Sequence, residues 1–366
     1  MPHSTAPALD LAASAATLTQ QLCDIESVSG NERAVADAIE AALAGAQHLE
    51  LFRDGDAIVA KTNLGRASRV VIAGHIDTVP VNDNFPSRTI GDELWGRGTV
   101  DMKAGVAVQL VLAAELTEPD VDITWIWYDH EEVSQDLNGL GRLARIRPEL
   151  LAGDFAILGE PTNAIIEGGC NGTLRVEVRT FGRRAHTARA WAGHNAIHDL
   201  APILTTLAGY QPREVEVDGL VYREGLNAVG ISGGVAGNVV PDEAVLTLNY
   251  RFAPSRSGEE AVEHLRELFA GYDLTVVDLA EGARPGLDAP LARRFAAAVG
   301  GTPMPKYGWT DVARFAAFGI PAVNYGPGDP LLAHADDERV PIEQILACEN
   351  GLRGWLTGGD VTGGDV

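Results

Sequence analysis

The sequence predicts an α/β fold with a largely buried, mostly parallel sheet and a smaller ferredoxin-like unit, on three observations. At 366 residues the chain exceeds the usual single-domain size, so two domains are expected. Apolar runs at 70–73, 123–128, 155–158 and 322–325 alternate with helical patterns such as 104–116, as buried strands joined by helices do. Between about 173 and 281 the pattern changes to strand (174–181), helix (195–208), strand (226–235), strand (242–252), helix (258–270) and strand (273–279). That order is βαββαβ, and it reads as an insertion: 1–172 and 282–357 form the larger domain and 173–281 the smaller.

Local signals refine the ends. Ser29 and Glu32 stand at capping-box spacing ahead of Val35, Ile39 and Leu43, which predicts a first helix after Ser29. Residues 1–22 are rich in Ala, Ser and Thr but lack a basic n-region and contain Asp10, so no secretory leader or membrane anchor is read there and a soluble protein is expected. The segment 358–366 repeats a GGDV unit without apolar periodicity and reads as a disordered tail.

Composition narrows the partners. The formal charge of −23 repels nucleic acid and anionic membranes, so an anionic small substrate needs local arginines to bind. Lys61, Lys103 and Lys306 are the only lysines. Cys23, Cys170 and Cys348 are widely spaced and odd in number, which points away from a disulfide framework or thiolate cluster and towards a reducing cytoplasm.

Five segments place metal-binding side chains just past apolar runs: Gly74-His75-Ile76-Asp77-Thr78, Gly98-Thr99-Val100-Asp101-Met102-Lys103, Asp129-His130-Glu131-Glu132, Gly159-Glu160-Pro161-Thr162 and His334-Ala335-Asp336-Asp337-Glu338. Ligands in open α/β sheets sit beyond the carboxyl ends of strands, where His75, the glutamate pair and Glu160 fall. Imidazole plus carboxylate without thiolate suits catalytic zinc. Alone, each residue has a plainer reading. His75 serves equally as a hydrogen-bonded histidine at a strand end, Asp101 as a helix cap, the glutamates as an exposed loop and His334 as a surface histidine. Together they change the weighting. Asp77, two residues along an extended chain from His75, falls on the same side and can hold the imidazole tautomer. Asp101 reads as a bridge between two cations. Adjacent glutamates diverge, so one can bind metal while the other faces the attacking water.

With these segments the chain resembles the co-catalytic zinc amidohydrolases that include aminoacylase, carboxypeptidase G and succinyl-diaminopimelate desuccinylase, over residues 15–355. The resemblance implies a zinc-peptidase-like catalytic domain with an inserted lid and dimerisation domain, and therefore a homodimer. It implies two Zn2+, with Co2+ able to substitute: His75 and Glu160 on one, Glu132 and His334 on the other, Asp101 bridging. Asp77 then orients His75, and Glu131 is the general base for the attacking water. His186 matches the lid histidine that stabilises the oxyanion from the partner subunit. Arg251 matches a carboxylate clamp, with a cross-strand ion pair as its plainer role; Asn238, Gly308, Thr310 and Arg314 match further substrate contacts. His130 departs from many members, which carry an acidic or small residue there. The segments 171–176, 221–226 and 306–311 resemble the desuccinylase branch, implying hydrolysis of N-succinyl-LL-2,6-diaminopimelate in lysine and diaminopimelate synthesis. Acetylornithine deacetylation or dipeptide cleavage on the same machinery is the alternative.

Overall fold

The computed structural model describes residues 8–358. The tail expected at 358–366 therefore lies, beyond Gly358, outside the described residues. The chain divides into two compact units. The first comprises the described residues up to Gly168, Gly286–Met304 and those from Arg314 onward; the second comprises Gly169–Pro285 and Pro305–Ala313.

An eight-stranded mixed sheet organises the first unit. Its order is Glu50–Asp54, Ala57–Lys61, Asp122–Tyr128, Arg69–His75, Phe155–Leu158, Ala322–Asn324, Glu167–Gly168 and Met304–Pro305. The four strands from Asp122–Tyr128 to Ala322–Asn324 run parallel, and their neighbours on both sides pair antiparallel. All seven residues of Asp122–Tyr128 are buried, as a strand covered on both faces requires. The helix Lys103–Glu115 is apolar nearly all round and buried from Lys103 to Ala113, packed among the helices Ala15–Cys23 and Ile342–Leu356 and the strand Arg69–His75.

In the second unit the strands Gly225–Gly233, Glu243–Phe252, Gly172–Phe181 and Asp273–Ala280 lie in that order, antiparallel throughout. Burial alternates along Glu243–Phe252, so one face meets a core that includes Leu174, Val176, Leu246, Leu248 and Leu265. The helix Gly258–Leu268 opens on a complete capping box between Ser257 and Glu260.

Three local expectations change. The first helix is Ala15–Cys23, capped by the Ser14 hydroxyl, which accepts from the Thr17 N–H at 3.2 Å. The next, Arg33–Leu43, begins at Glu32 without a side-chain cap. Ser29 does not cap it, because its hydroxyl donates instead to Asp77 Oδ2 at 2.7 Å. The helix expected over 195–208 starts as a 3-10 turn, His198–Leu200, before Ala201–Ala208. A hairpin of Glu214–Val217 and Leu220–Arg223 lies where the sequence reading assigns nothing. Its turn is Asp218-Gly219, both at positive φ, the pair that a two-residue hairpin favours.

Asp122 fastens the sheet to the preceding loop. Its Oδ1 accepts from Leu64 N at 2.8 Å and the Thr62 hydroxyl at 3.0 Å, and Oδ2 accepts from Arg66 N at 2.9 Å. Burial opposes its ionisation, but those donors prevail and hold the carboxyl below its ordinary value. A depressed folded-state value gives stability that is present above the unfolded pKa of about 4 and lost as pH falls through the folded one. Asp122→Asn is expected to cost about 1.5–3 kcal/mol at neutral pH. In thermal melts the deficit should shrink towards pH 3; an equal melting temperature at pH 7 would refute the anchor.

Candidate metal centre

Three parallel strands end side by side. His75 closes Arg69–His75, where it pairs with Tyr128, and Ala73 pairs with Leu158 on the other side. The chain therefore leaves the sheet at Ile76, Asp129 and Gly159 along one edge. Asp101 arrives from the start of the helix Lys103–Glu115. That helix approaches closely because Gly105 faces Gly159: a Cβ on Gly105 would lie 2.2 Å from the Gly159 carbonyl oxygen.

The side chains converge. His75 Nε2 lies 2.9 Å from Asp101 Oδ1, His334 Nε2 lies 3.4 Å from Asp101 Oδ2, and His334 Nε2 lies 3.0 Å from Glu132 Oε1. Donor atoms of His75, Asp101 and Glu160 fall within 4.8 Å of one another, as do those of Asp101, Glu132 and His334, and those of His75, Glu131 and Glu132. Asp101 belongs to the first two groups at once, one carboxyl oxygen towards each imidazole. Two imidazoles and four carboxylates without a thiolate fit a pair of hard-to-borderline divalent cations such as zinc.

The electrostatics match that reading. His334 is pushed up to about 10 by Asp101 and Glu132. Burial works against a charged His75, yet Asp101 and Asp77 raise it well above its ordinary value. Burial likewise opposes ionisation of Asp101, which the two imidazoles hold far below the carboxylate range. Burial raises Glu132. The carboxylates thus favour positive charge at both imidazoles, as they would favour a cation held among them.

The plainer readings fare unevenly. The helix Lys103–Glu115 has no side-chain cap, so Asp101 is not one. The Glu132 side chain is only 7% exposed, unlike that of an ordinary surface loop. His334 is half exposed, yet its ring still faces the cluster. His130, at φ +58°, turns to Asp129 Oδ2 at 2.7 Å, and Asp129 is gripped by both terminal nitrogens of Arg142.

Asp77 is completely buried. Its backbone carbonyl, 3.1 Å from His75 Nδ1, is closer to the ring than its carboxylate Oδ1 at 3.4 Å. The carboxylate also accepts from Glu131 N at 3.0 Å, Glu132 N at 3.1 Å and the Ser29 hydroxyl. It therefore links the imidazole to the backbone of both glutamates, a connection sequence reasoning missed. Glu338 was missed as well: its Oε1 accepts from Val100 N at 2.9 Å and Asp101 N at 3.2 Å, while Oε2 meets Arg97 Nη1 at 2.7 Å. No local pattern announces contacts between positions so distant in the chain.

The remaining site candidates, apart from Arg314, lie in the second unit. His186 is exposed, and its Nδ1 accepts the Ala188 N–H at 3.0 Å, which leaves the proton on Nε2 as an outward donor. Its backbone bridges Val239, and Thr187 N donates to the Asn238 carbonyl at 3.0 Å, so Asn238 is its neighbour. Arg251 sits opposite Thr173 and Gly225, not opposite a carboxylate. Its Nε donates to Asn249 Oδ1 at 3.2 Å, and it makes no ion pair among the described residues, which removes the cross-strand pair as its role. Burial pushes its guanidinium pKa down. Gly308 is exposed while Thr310 is buried, its carbonyl accepting from the Cys170 thiol. Arg314, in the first unit, lays its guanidinium against Gly141.

Residues 71–357 match the model of peptidase family M20/M25/M40. The chain is 50% identical over 362 residues to the succinyl-diaminopimelate desuccinylase of Corynebacterium glutamicum, covering 96% of this chain and 98% of that one. It is 54% identical over 353 residues to a Mycobacterium tuberculosis protein given that designation provisionally, covering 96% and 100%. Among solved structures, a Staphylococcus aureus tripeptidase superposes with a TM-score of 0.77 at 20% identity over 95% of this chain and 98% of that one. A dinuclear metal-binding peptidase from Bacillus subtilis gives 0.70 at 16% identity over 93% and 96%.

Asp77→Asn would set an amide N–H₂ against one of the backbone N–H groups that the carboxylate now receives. Metal affinity, measured by equilibrium dialysis of metal-stripped protein, is expected to fall about 10–100-fold. Unaltered affinity would show that Asp77 does not organise the centre.

Proposed function

The chain belongs to peptidase family M20/M25/M40, and from that premise we infer that it is a succinyl-diaminopimelate desuccinylase. It hydrolyses N-succinyl-LL-2,6-diaminopimelate to succinate and LL-2,6-diaminopimelate. The observation that carries this reading is the 50–54% identity to desuccinylases over nearly the whole of both chains. The peptidases among the solved structures, at 20% identity or less, share the fold alone.

In this reading the first unit is the zinc-peptidase-like catalytic domain and the second a ferredoxin-like lid through which a homodimer forms. His75 and Glu160 would hold one zinc, Glu132 and His334 the other, and Asp101 both; cobalt suits the same donors. When bound, the metals supply Lewis acidity, lowering the pKa of water and polarising the acyl oxygen. Glu131, whose backbone Asp77 fixes, takes the proton from the attacking water. The new C–O bond forms at the succinyl carbonyl carbon, the C–N bond breaks, and Glu131 returns its proton to the leaving amine. His186, with its Nε2–H outward, donates to the developing oxyanion, reaching it from the partner subunit. Arg251, half-buried with no carboxylate of its own, binds a substrate carboxylate, and a bidentate fork suits that task. Asn238, Gly308, Thr310 and Arg314 complete the substrate contacts. Three free, buried cysteines suit a cytoplasmic enzyme. No helix among the described residues is long and apolar enough to cross a membrane.

Succinate release from the succinylated substrate by metal-stripped protein should require added zinc, with acetylornithine and dipeptides turned over far more slowly. Faster turnover of acetylornithine or a dipeptide would keep the metal chemistry and overturn the substrate. Glu131→Gln should lower kcat by about 10²–10⁴-fold while retaining metal. Mixed with His186→Ala under subunit exchange, it should recover part of the activity. An absence of recovery despite demonstrated exchange would place His186 in its own subunit's site or outside the reaction.

A further inference from the structure

The segment that carries His334 is tied to the segment that carries Asp101 by one buried cluster. Glu338 and Arg97 are 1% and 5% exposed. Glu338 receives the N–H groups of Val100 and Asp101 on one carboxylate oxygen and Arg97 on the other. Arg97 also donates to the Ala335 carbonyl at 3.3 Å and, through Nε, to the Pro80 carbonyl at 3.2 Å. The Glu338 carbonyl accepts from Gly96 N at 3.0 Å. At the outer edge of the loop, Asn82 Nδ2 donates to Asp336 Oδ1 at 2.9 Å.

The two sides of this tie are unequally supported elsewhere. Asp101 immediately precedes Met102, which is completely buried, and Lys103. Lys103 Nζ, also buried, donates to the Leu22 and Ile25 carbonyls at 3.0 and 2.8 Å, fixing the helix start without help from Glu338. The backbone at His334 has a lighter hold: Ala335 N donates to the Leu332 carbonyl at 3.2 Å, and the next paired strand begins only at Arg339, opposite Trp95. His334 stands at φ +64° on a half-exposed loop between the 3-10 turn Pro330–Leu332 and the short strand Arg339–Pro341. Loosening the tie would therefore release His334 rather than Asp101.

We propose that Glu338 and Arg97 are positioning residues that set the distance between His334 and Asp101, and that they thereby govern the affinity of the Asp101–Glu132–His334 position selectively over the His75–Asp101–Glu160 position. Neither touches a metal. Glu338 acts through the backbone at Asp101, and Arg97 through Glu338 and the carbonyl next to His334. The inference rests on the ligand assignment above.

The test is titration of metal-stripped protein with Co2+, followed by calorimetry and visible absorbance, for the native chain, Glu338→Gln, Arg97→Lys and His334→Ala. Glu338→Gln keeps an oxygen for the two N–H groups but turns an amide towards Arg97. Arg97→Lys keeps the charge but loses the fork that reaches Ala335 and Pro80. His334→Ala should remove one binding step. Glu338→Gln and Arg97→Lys should each weaken that same step about 10–100-fold and leave the other within about threefold. Equal weakening of both steps, or of neither, in Glu338→Gln and Arg97→Lys while His334→Ala loses one step would overturn the positioning role alone. Two native steps in His334→Ala would overturn the ligand assignment and the inference with it. Melting temperatures of the metal-free proteins separate a general loss of fold, which lowers both steps, from the selective loss expected here.

Discussion

The candidate centre depends on the parallel register of Arg69–His75 between Asp122–Tyr128 and Phe155–Leu158. Pairing His75 with Tyr128 and Ala73 with Leu158 brings three chain exits to one edge. A slip of one residue would do more than shift the exits, because side chains alternate faces along a strand. Gly74 faces Met102 and Gln109, where an added Cβ would lie 2.6 Å from the Met102 terminal methyl. A slip that sets His75 where Gly74 now lies would drive the imidazole into that space, and the opposite slip would leave Gly74 at the edge with no donor side chain. The helix Lys103–Glu115 enforces register through this contact, and the same helix begins two residues after Asp101. Sheet register and ligand placement are thus two consequences of one packing contact.

Beyond the strands, backbone N–H groups received by buried carboxylates hold the loops. Asp77 takes those of Glu131 and Glu132, Glu338 those of Val100 and Asp101, and Glu32 those of Gly30 and His130. Irregular loops cannot satisfy these groups in a ladder, and leaving them buried without partners is costly. A carboxylate satisfies two at once and strengthens both bonds with its charge. The solution adds negative charge around a site already rich in it. Burial raises the pKa of Glu32 and Glu338, as expected for carboxyls held away from water. Arg97 on Glu338 offsets part of that charge.

This division explains what the sequence made legible. Apolar runs announced the central strands because both faces are buried, and the donor residues stood out because they follow those runs. The antiparallel sheet of the smaller unit was legible because alternation is clean along Glu243–Phe252. The capping-box spacing of Ser29 and Glu32 is a local pattern that does not foretell their partners: the Ser29 hydroxyl goes to Asp77, 48 residues away, and Glu32 receives the N–H groups of Gly30 and of His130, 98 residues away. Glu338 lay inside a recognised segment yet carried no sign of its role, which exists only once Val100 and Asp101 are brought to it. The Asp218-Gly219 hairpin does carry a local sign, its turn dipeptide.

The same division makes the two halves of the centre unequal. His75 ends a ladder paired on both sides, and Glu160 follows a strand whose neighbour, Gly159, donates its N–H to the Ala73 carbonyl at 3.0 Å. Their positions are set by the same hydrogen bonds that hold the core, and moving them means opening the sheet. Glu132 and His334 stand on loops whose placement relies on side chains reaching across the chain. A fold of this kind can adjust one position through substitutions in those reaching side chains while the other stays fixed, because the first costs a few loop contacts and the second costs the sheet. On the proposed assignment, proton handling belongs with the adjustable half, because Asp77 holds the backbone of Glu131 and Glu132 together. On that assignment a change that repositions Glu132 also repositions Glu131, which would tie metal affinity at that half to the efficiency of proton transfer.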